Sequence, residues 1–331
     1  MTVELHFGTS PRIERLLDRC DRYARARDPI LIVGERGTGK TMLARRIHEG
    51  SGRAGQFVSK HLLSVHAELD RDELAGHARG AYTGALGHRK GLVEAAHGGT
   101  LFVDELGSAT AGVQDLLIEL LDTGGLRRLG EDRCRQVDVR LVTATNADLG
   151  ALAATGAFRP DLLDRLGYLR LEVPPLRERR DEIILLAAGF VRDAVAWPQG
   201  SAPPRLSPEV QSALVSAAWP GNIRELKGAC RMAALHAFPR RLIQLGDLPA
   251  SLVASLGPEV RQEHDRSRAA IEAEHGPREW RTLEAHERRY LRAVLAAFPD
   301  IDSAAAVLGV ARRTLYRRLE KHALPAPRRP S

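Results

Sequence analysis

Apolar positions along the chain follow two different periods. Ile13, Leu16, Leu17 and Cys20 recur at i, i+3, i+4 and i+7, the spacing of one helix face. Ser10-Pro11 ahead of them supplies a cap and a first turn, so a helix is predicted over 12–23. Short apolar runs at 29–33, 100–103, 139–143 and 168–173 have the look of strands buried in a parallel sheet. Helical patterns separate them, as at 42–48 and 113–121. Strands alternating with helices predict an α/β doubly wound sheet. After Pro174-Pro175 the strand-like runs stop, and 181–196, 208–218 and 222–237 read as helices of a small all-helical domain. Residues 254–280 are charged with little periodicity and read as a partly helical linker. About three short helices follow, and the Pro/Arg-rich 325–331 reads as a disordered tail. The division expected is therefore 1–173, 174–253, 254–280, 281–324 and 325–331.

Composition narrows the class. A chain of 331 residues has room for two or three domains at roughly 100–200 residues each. With 44% apolar and 27% charged residues it is neither collagen-like nor wholly disordered. It lacks a run of roughly 18 apolar residues and a basic-then-apolar leader, so no membrane partner and a cytoplasmic location are expected. Cys20, Cys134 and Cys230 form no CxxC pair, which suggests a reducing compartment and plain buried or half-buried thiols. The net charge is +7, of which +6 falls from Arg281 onward, with eleven Lys/Arg against five Asp/Glu. A nearly neutral body with a basic end suggests nucleic acid as partner.

Two segments carry phosphate chemistry. Gly34-Glu35-Arg36-Gly37-Thr38-Gly39-Lys40-Thr41 fits G-x-x-x-x-G-K-[ST] between a predicted strand and a predicted helix, the setting of a P-loop. Its glycines let backbone N–H groups face phosphate oxygens, and the helix N-terminus adds its dipole. Lys40 is expected to neutralise the β/γ-phosphates of ATP and Thr41 to ligate Mg²⁺. About 65 residues later an apolar strand ends in Asp104-Glu105, the Walker B arrangement. Asp104 is expected to hold the metal through water and Glu105 to polarise the attacking water. A third strand ends in Thr145-Asn146. This pair either senses the γ-phosphate or caps the next helix.

The basic end reads as a helix-turn-helix. Residues 283–298 are amphipathic, Asp302 is expected to cap 303–308, Gly309 turns the chain, and 311–322 form the second helix. Leu315 and Leu319 face inward there. Arg312, Arg313, Thr314, Arg317 and Arg318 face outward, towards phosphates and base edges.

Together these motifs resemble the AAA+ activators of sigma-54-dependent transcription, the bacterial enhancer-binding proteins, over 8–252 and again in the C-terminal unit, which resembles a Fis-type DNA-binding domain. Gly80-Ala81-Tyr82-Thr83-Gly84-Ala85 resembles the family's GAFTGA loop, which contacts sigma-54, with Tyr82 where phenylalanine is usual. Read from its residues alone it is a mobile loop tip. Leu74-Ala75-Gly76-His77, residues 158–166, Pro174-Pro175-Leu176-Arg177-Glu178-Arg179 and Trp219-Pro220-Gly221-Asn222-Ile223-Arg224-Glu225-Leu226 also match. The resemblance implies that Arg159 and Arg165 are arginine fingers reaching a neighbouring subunit's nucleotide, and that Arg224 is a second sensor. A guanidinium is permanently charged and forks onto phosphate oxygens.

The resemblance further implies an AAA+ fold with a helical lid and a ring, most often a hexamer, binding ATP between subunits. The ring acts on sigma-54 RNA polymerase from an upstream, dyad-symmetric DNA site. The alternative is a DNA-binding regulator whose AAA+ core controls oligomerisation without acting on sigma-54. Three departures stand out. Thr41 replaces the family's usual glutamate. His61 stands near the position of an asparagine that restrains the catalytic glutamate; a hydrogen bond from His61 to Glu105 is expected, with a pH-dependent charge. Only about seven residues precede the matching region, so no N-terminal regulatory domain is expected and control falls to a separate regulatory protein, expression level or nucleotide supply.

Overall fold

The computed structural model describes residues 10–62, 67–81, 87–194, 203–238, 240–275, 283–298 and 300–325. Contacts divide the chain into two compact units, Met1–Arg179 with Gly221–Ile223, and Arg180–Pro220 with Arg224–Ser331.

The first unit runs α1 (Pro11–Ala24), β1 (Ile30–Val33), α2 (Lys40–Gly50), β2 (Phe57–His61), α3 (Ala67–Ala75), β3 (Gly76–His77), β4 (Arg89–Lys90) and α4 (Leu92–Ala95). It continues with β5 (Thr100–Asp104), α5 (Ala111–Thr123), β6 (Gly125–Arg127), β7 (Cys134–Gln136), β8 (Arg140–Thr145), α6 (Leu149–Ala154), α7 (Pro160–Leu166) and β9 (Leu169–Glu172). Five strands form one parallel sheet in the order β2-β5-β8-β1-β9. This is the doubly wound sheet expected. Ser10 caps α1, its Oγ accepting from the Ile13 amide at 3.3 Å. Ile13, Leu16 and Cys20 pack with Ile30, Ile32, Leu43 and Phe102 on one sheet face. Leu31, Leu101, Val103 and Leu141 meet α3, α5 and α7 on the other. Each central strand is thus apolar on both faces, which is why it reads as an unbroken run.

β2 departs from that pattern and was not expected from the sequence. It lies at the sheet edge with an intermediate-to-exposed surface. Lys60 on it is ion-paired at 2.6 Å to the buried Asp70 and at 2.5 Å to Glu73, both on α3. Register fixes the functional edge: His61 pairs with Asp104, Val103 with Thr143 and Val33 with Thr145. The carboxyl ends of four parallel strands therefore open on one side, the usual position for a ligand in such sheets.

In the second unit, α8 (Ile183–Arg192), β10 (Arg205–Leu206), α9 (Pro208–Ser216), α10 (Asn222–Ala237, which begins in the first unit), β11 (Leu242–Ile243), α11 (Ala250–Ala254) and α12 (Pro258–His275) follow one another. The expectation of an all-helical domain is corrected by β10 and β11, a short parallel pair. The partly helical linker is corrected too: α12 is a packed helix of 18 residues. Ile271 on it is buried, and a Cβ at Gly246 would lie 2.5 Å from the Arg268 nitrogen. Only glycine lets the two backbones approach so closely. The last elements are α13 (Leu283–Ala297), α14 (Ile301–Val307) and α15 (Arg312–Lys321), packed through Leu291, Val294, Ile301, Leu315 and Leu319. Asp300, not Asp302, caps α14, accepting from the Ser303 amide at 2.8 Å. Gly309 turns at φ 63°. All three cysteines are free. Cys20 and Cys230 are buried with thiols pushed up to about 12 by desolvation, whereas Cys134 is exposed rather than half-buried. Among the described residues no helix is long and apolar enough to cross a membrane.

Candidate active site and nucleic-acid interface

The loop between β1 and α2 is shaped by glycines. Gly37 and Gly39 have φ of 77° and 104°, where a side chain would strain the backbone. A Cβ at Gly34 would lie 2.9 Å from the Val173 carbonyl oxygen. Lys40 is buried, and its Nζ donates to the Gly34 and Glu35 carbonyls at 2.8 and 3.1 Å. Buried Thr38 donates its hydroxyl to the Glu35 carbonyl at 2.8 Å. The Glu35 side chain turns away from the loop to Arg177 at 2.6 Å. The Arg177 hydrogen bond, then that of Asn222, holds its carboxyl below the usual range.

Asp104 ends β5, and its Oδ1 accepts from the Glu105 amide at 3.0 Å. Glu105 itself has φ 56°, a costly left-handed conformation that turns its side chain sharply off the strand. Arg36 Nε lies 3.4 Å from Glu105 Oε1. With the Asn146 amide oriented to satisfy both neighbours, Asn146 Nδ2 donates to Glu105 Oε2 at 2.6 Å and Oδ1 accepts from Arg36 Nε at 3.3 Å. The expected partner His61 is instead beside Asp104, Nδ1 to Oδ2 at 3.5 Å. The cause is register: directly paired residues share a sheet face, and Glu105 lies one residue beyond the strand. The capping alternative for Thr145-Asn146 also falls, since Asp148 caps α6, accepting from Gly150 and Ala151. Thr41 is exposed in the first turn of α2. Its hydroxyl and the Asp104 carboxylate are hard oxygen donors of the kind Mg²⁺ takes alongside phosphate and water.

Arg159 and Arg165 sit at surface positions, engaged within their own chain. Arg159 binds Asp161 at 2.7 Å and Asp115 at 2.5 Å, and Arg165 forks onto Asp122 at 2.6 and 3.0 Å. Arg224 is exposed on α10. Of the expected contact loop, Gly80 (φ 81°) and Ala81 are described, while Tyr82, Thr83, Gly84 and Ala85 lie outside the described residues. The stem of that loop is the β3–β4 pair. His77 Nδ1 lies 2.7 Å from Asp72 Oδ1, and the Ala78 amide donates to the Leu129 carbonyl at 2.9 Å.

On α15, Arg313, Tyr316, Arg317 and Glu320 form the exposed stripe. Arg312 is also exposed but pairs with Asp302. Thr314 is half-buried, and so is Arg318, which lies 3.5 Å from Glu287 of α13. The uniform outward face expected for all five residues is therefore narrower. Two of its arginines answer carboxylates on the preceding helices. Sequence reasoning overlooked Asn222, Arg177 and Arg179 at the phosphate loop. Their only signal was the pair of motifs in which they stand.

Comparison with known proteins places this geometry. The chain matches the Sigma-54 interaction domain over residues 6–172, an AAA+ ATPase lid domain over 177–265 and the Fis family of bacterial regulatory proteins over 282–322. The alginate biosynthesis transcriptional regulatory protein AlgB of Pseudomonas putida is 37% identical over 321 residues, covering 95% of this chain and 66% of that protein. The anaerobic nitric oxide reductase transcription regulator NorR of Citrobacter koseri is 39% identical over 293 residues, covering 87% and 57%. The chain thus spans less than two thirds of the length of both curated relatives. The crystal structure of NtrX from Brucella abortus in complex with ATP superposes with a TM-score of 0.67 at 29% identity, covering 98% of this chain and 70% of that one. The chain belongs to the AAA+ sigma-54-dependent transcriptional activators, with a Fis-type helix-turn-helix behind the lid.

Proposed function

We propose that the protein is an ATP-dependent transcription activator. It binds upstream DNA through α15, assembles as a ring, most simply a hexamer, and uses ATP hydrolysis to remodel the sigma-54 RNA polymerase closed complex. The observation that carries this reading is that Asp104, Glu105 and Asn146 stand together at the carboxyl ends of adjacent strands, with Arg36 of the Lys40-bearing phosphate loop against Glu105, within a sigma-54 interaction domain. The ATP complex of NtrX supports a nucleotide there.

Bound ATP with Mg²⁺ supplies the phosphoanhydride whose hydrolysis releases the working energy. The loop amides and Lys40 bind and orient the phosphates, and Thr41 with Asp104 holds the metal. Glu105 accepts a proton from the attacking water, and Asn146 holds that carboxylate in place. Arg159 and Arg165 leave their own carboxylates to reach a neighbour's phosphates, and Arg224 reads the γ-phosphate from the lid. The loop of Gly80, Ala81, Tyr82, Thr83, Gly84 and Ala85 presses on sigma-54. Such a protein works in the bacterial cytoplasm on nucleoid DNA and answers to a separate regulatory protein. Open-complex formation at a sigma-54 promoter tests this directly. ATP should permit it and a non-hydrolysable analogue should not. Equal promoter activity with both would favour a regulator whose core only controls oligomerisation.

A further inference from the structure

Asn222 is 0% exposed and has φ 52°, a conformation asparagine tolerates better than most non-glycine residues. Its side chain is fully used. Oδ1 accepts from the Leu176 amide at 2.7 Å, while Nδ2 donates to the Arg36 carbonyl at 3.0 Å and to Glu35 Oε2 at 3.1 Å. Its neighbour Ile223 donates its amide to the Gly37 carbonyl at 3.0 Å. Buried Arg179 donates to the Thr38 carbonyl at 3.0 Å. Three consecutive loop carbonyls are thus held by residues 179, 222 and 223.

In a trans peptide the C=O and the following N–H point in opposite directions. Holding the carbonyls of Arg36, Gly37 and Thr38 on the outer side turns the amides of Gly37, Thr38 and Gly39 to the other side. A glycine-rich loop left free would lose its backbone freedom at the moment of binding, and a loop fixed beforehand avoids that loss.

We propose that Asn222 is the positioning residue of the phosphate loop. With Ile223 and Arg179 it fixes three peptide planes so that the N–H groups after them face the phosphates of ATP. This rests on reading the loop as an ATP site. The side chain then governs how tightly phosphate is held more than how fast it reacts.

The test uses the full chain, with ATP and Mg²⁺ as the probe, and measures Kd by calorimetry and KM and kcat by hydrolysis. Asn222→Gly keeps the left-handed backbone and removes all three bonds. Asn222→Asp keeps the acceptor for Leu176, loses both donors and sets a second carboxylate beside Glu35. Both should raise Kd and KM about tenfold, with kcat at saturating ATP moving much less. Adding Glu35→Gln to Asn222→Asp should recover part of the affinity, because the new amide can donate to the new carboxylate. Wild-type Kd in both variants, or a loss confined to kcat, overturns the proposal. Should the buried variants fail to fold, Glu35→Ala decides, since that side chain is 43% exposed. It should raise Kd severalfold, and an unchanged Kd counts against the clasp. Lys40→Ala separates the two levels. If it binds ATP normally, the ATP reading of the loop fails. If it loses ATP while the Asn222 variants keep it, only the positioning role fails.

Discussion

Asn146 and Glu105, from the ends of two adjacent strands, meet at 2.6 Å, amide nitrogen to carboxylate oxygen. Arg36 of the phosphate loop closes the triangle on both of them. The proposed general base is therefore held from two sides. Glu105→Ala should keep ATP bound while lowering turnover by about 10²–10⁴-fold, the usual worth of positioned proton transfer. Asn146→Ala should lower kcat more than it raises Kd, since it frees the carboxylate without touching Lys40. Hydrolysis and ATP titration on the same preparations check both, and wild-type turnover in Glu105→Ala would sink the assignment.

Arg165 spends its fork on Asp122 of its own chain, an exposed pair of little intrinsic worth. It can therefore be given up for a neighbour's phosphate. Arg165→Ala should abolish hydrolysis, by about 10³-fold or more, while each subunit still binds ATP. Specific activity of the wild type should rise with protein concentration as rings assemble. Full activity at high dilution would rule out a shared site.

The DNA-binding helix should respond unevenly. Arg313→Ala and Arg317→Ala should each weaken DNA binding and flatten the dependence of log K on log salt by about one unit. Arg318→Ala should do less, because that guanidinium already answers Glu287 at 3.5 Å. ATPase rates should stay at wild-type level in all three. Titrating a duplex over a range of salt concentrations supplies the slopes, and wild-type slopes in both Arg313→Ala and Arg317→Ala would move the interface elsewhere.

Glu94 and Arg128 form a nearly buried fork, at 2.6 and 2.7 Å. The Arg128 hydrogen bond holds the Glu94 carboxyl below its ordinary 4.5. A depressed carboxylate contributes stability that is present above its unfolded value and is lost as pH falls through the folded one. This share should therefore disappear below pH 4.5. Arg128→Ala should cost about 3 kcal/mol at neutral pH and should weaken the acid dependence. Thermal melts of both proteins from neutral to acid pH measure it.

What the sequence made legible was local. The phosphate loop, the Asp104-Glu105 strand end and the buried strands each declare themselves within about ten residues, because glycine backbone freedom and two-sided burial leave marks at short range. β2 left no such mark, since an edge strand carrying Lys60 and His61 has only partial burial to record. The bond between Asn222 and Arg36 spans 186 positions, and neither residue type announces a partner. Cross-strand register, which sets His61 against Asp104 rather than Glu105, is not written in the sequence of either strand.

The coupling claim is tested most directly at Thr83. Thr83→Ala lies outside both the phosphate loop and the basic helix, so ATP hydrolysis and DNA binding should stay close to wild type. Open-complex formation with sigma-54 polymerase, measured beside the ATPase rate of the same preparation, should fall to background. Activation at the wild-type level would show that the loop does not carry the work to its target, and would contradict the account.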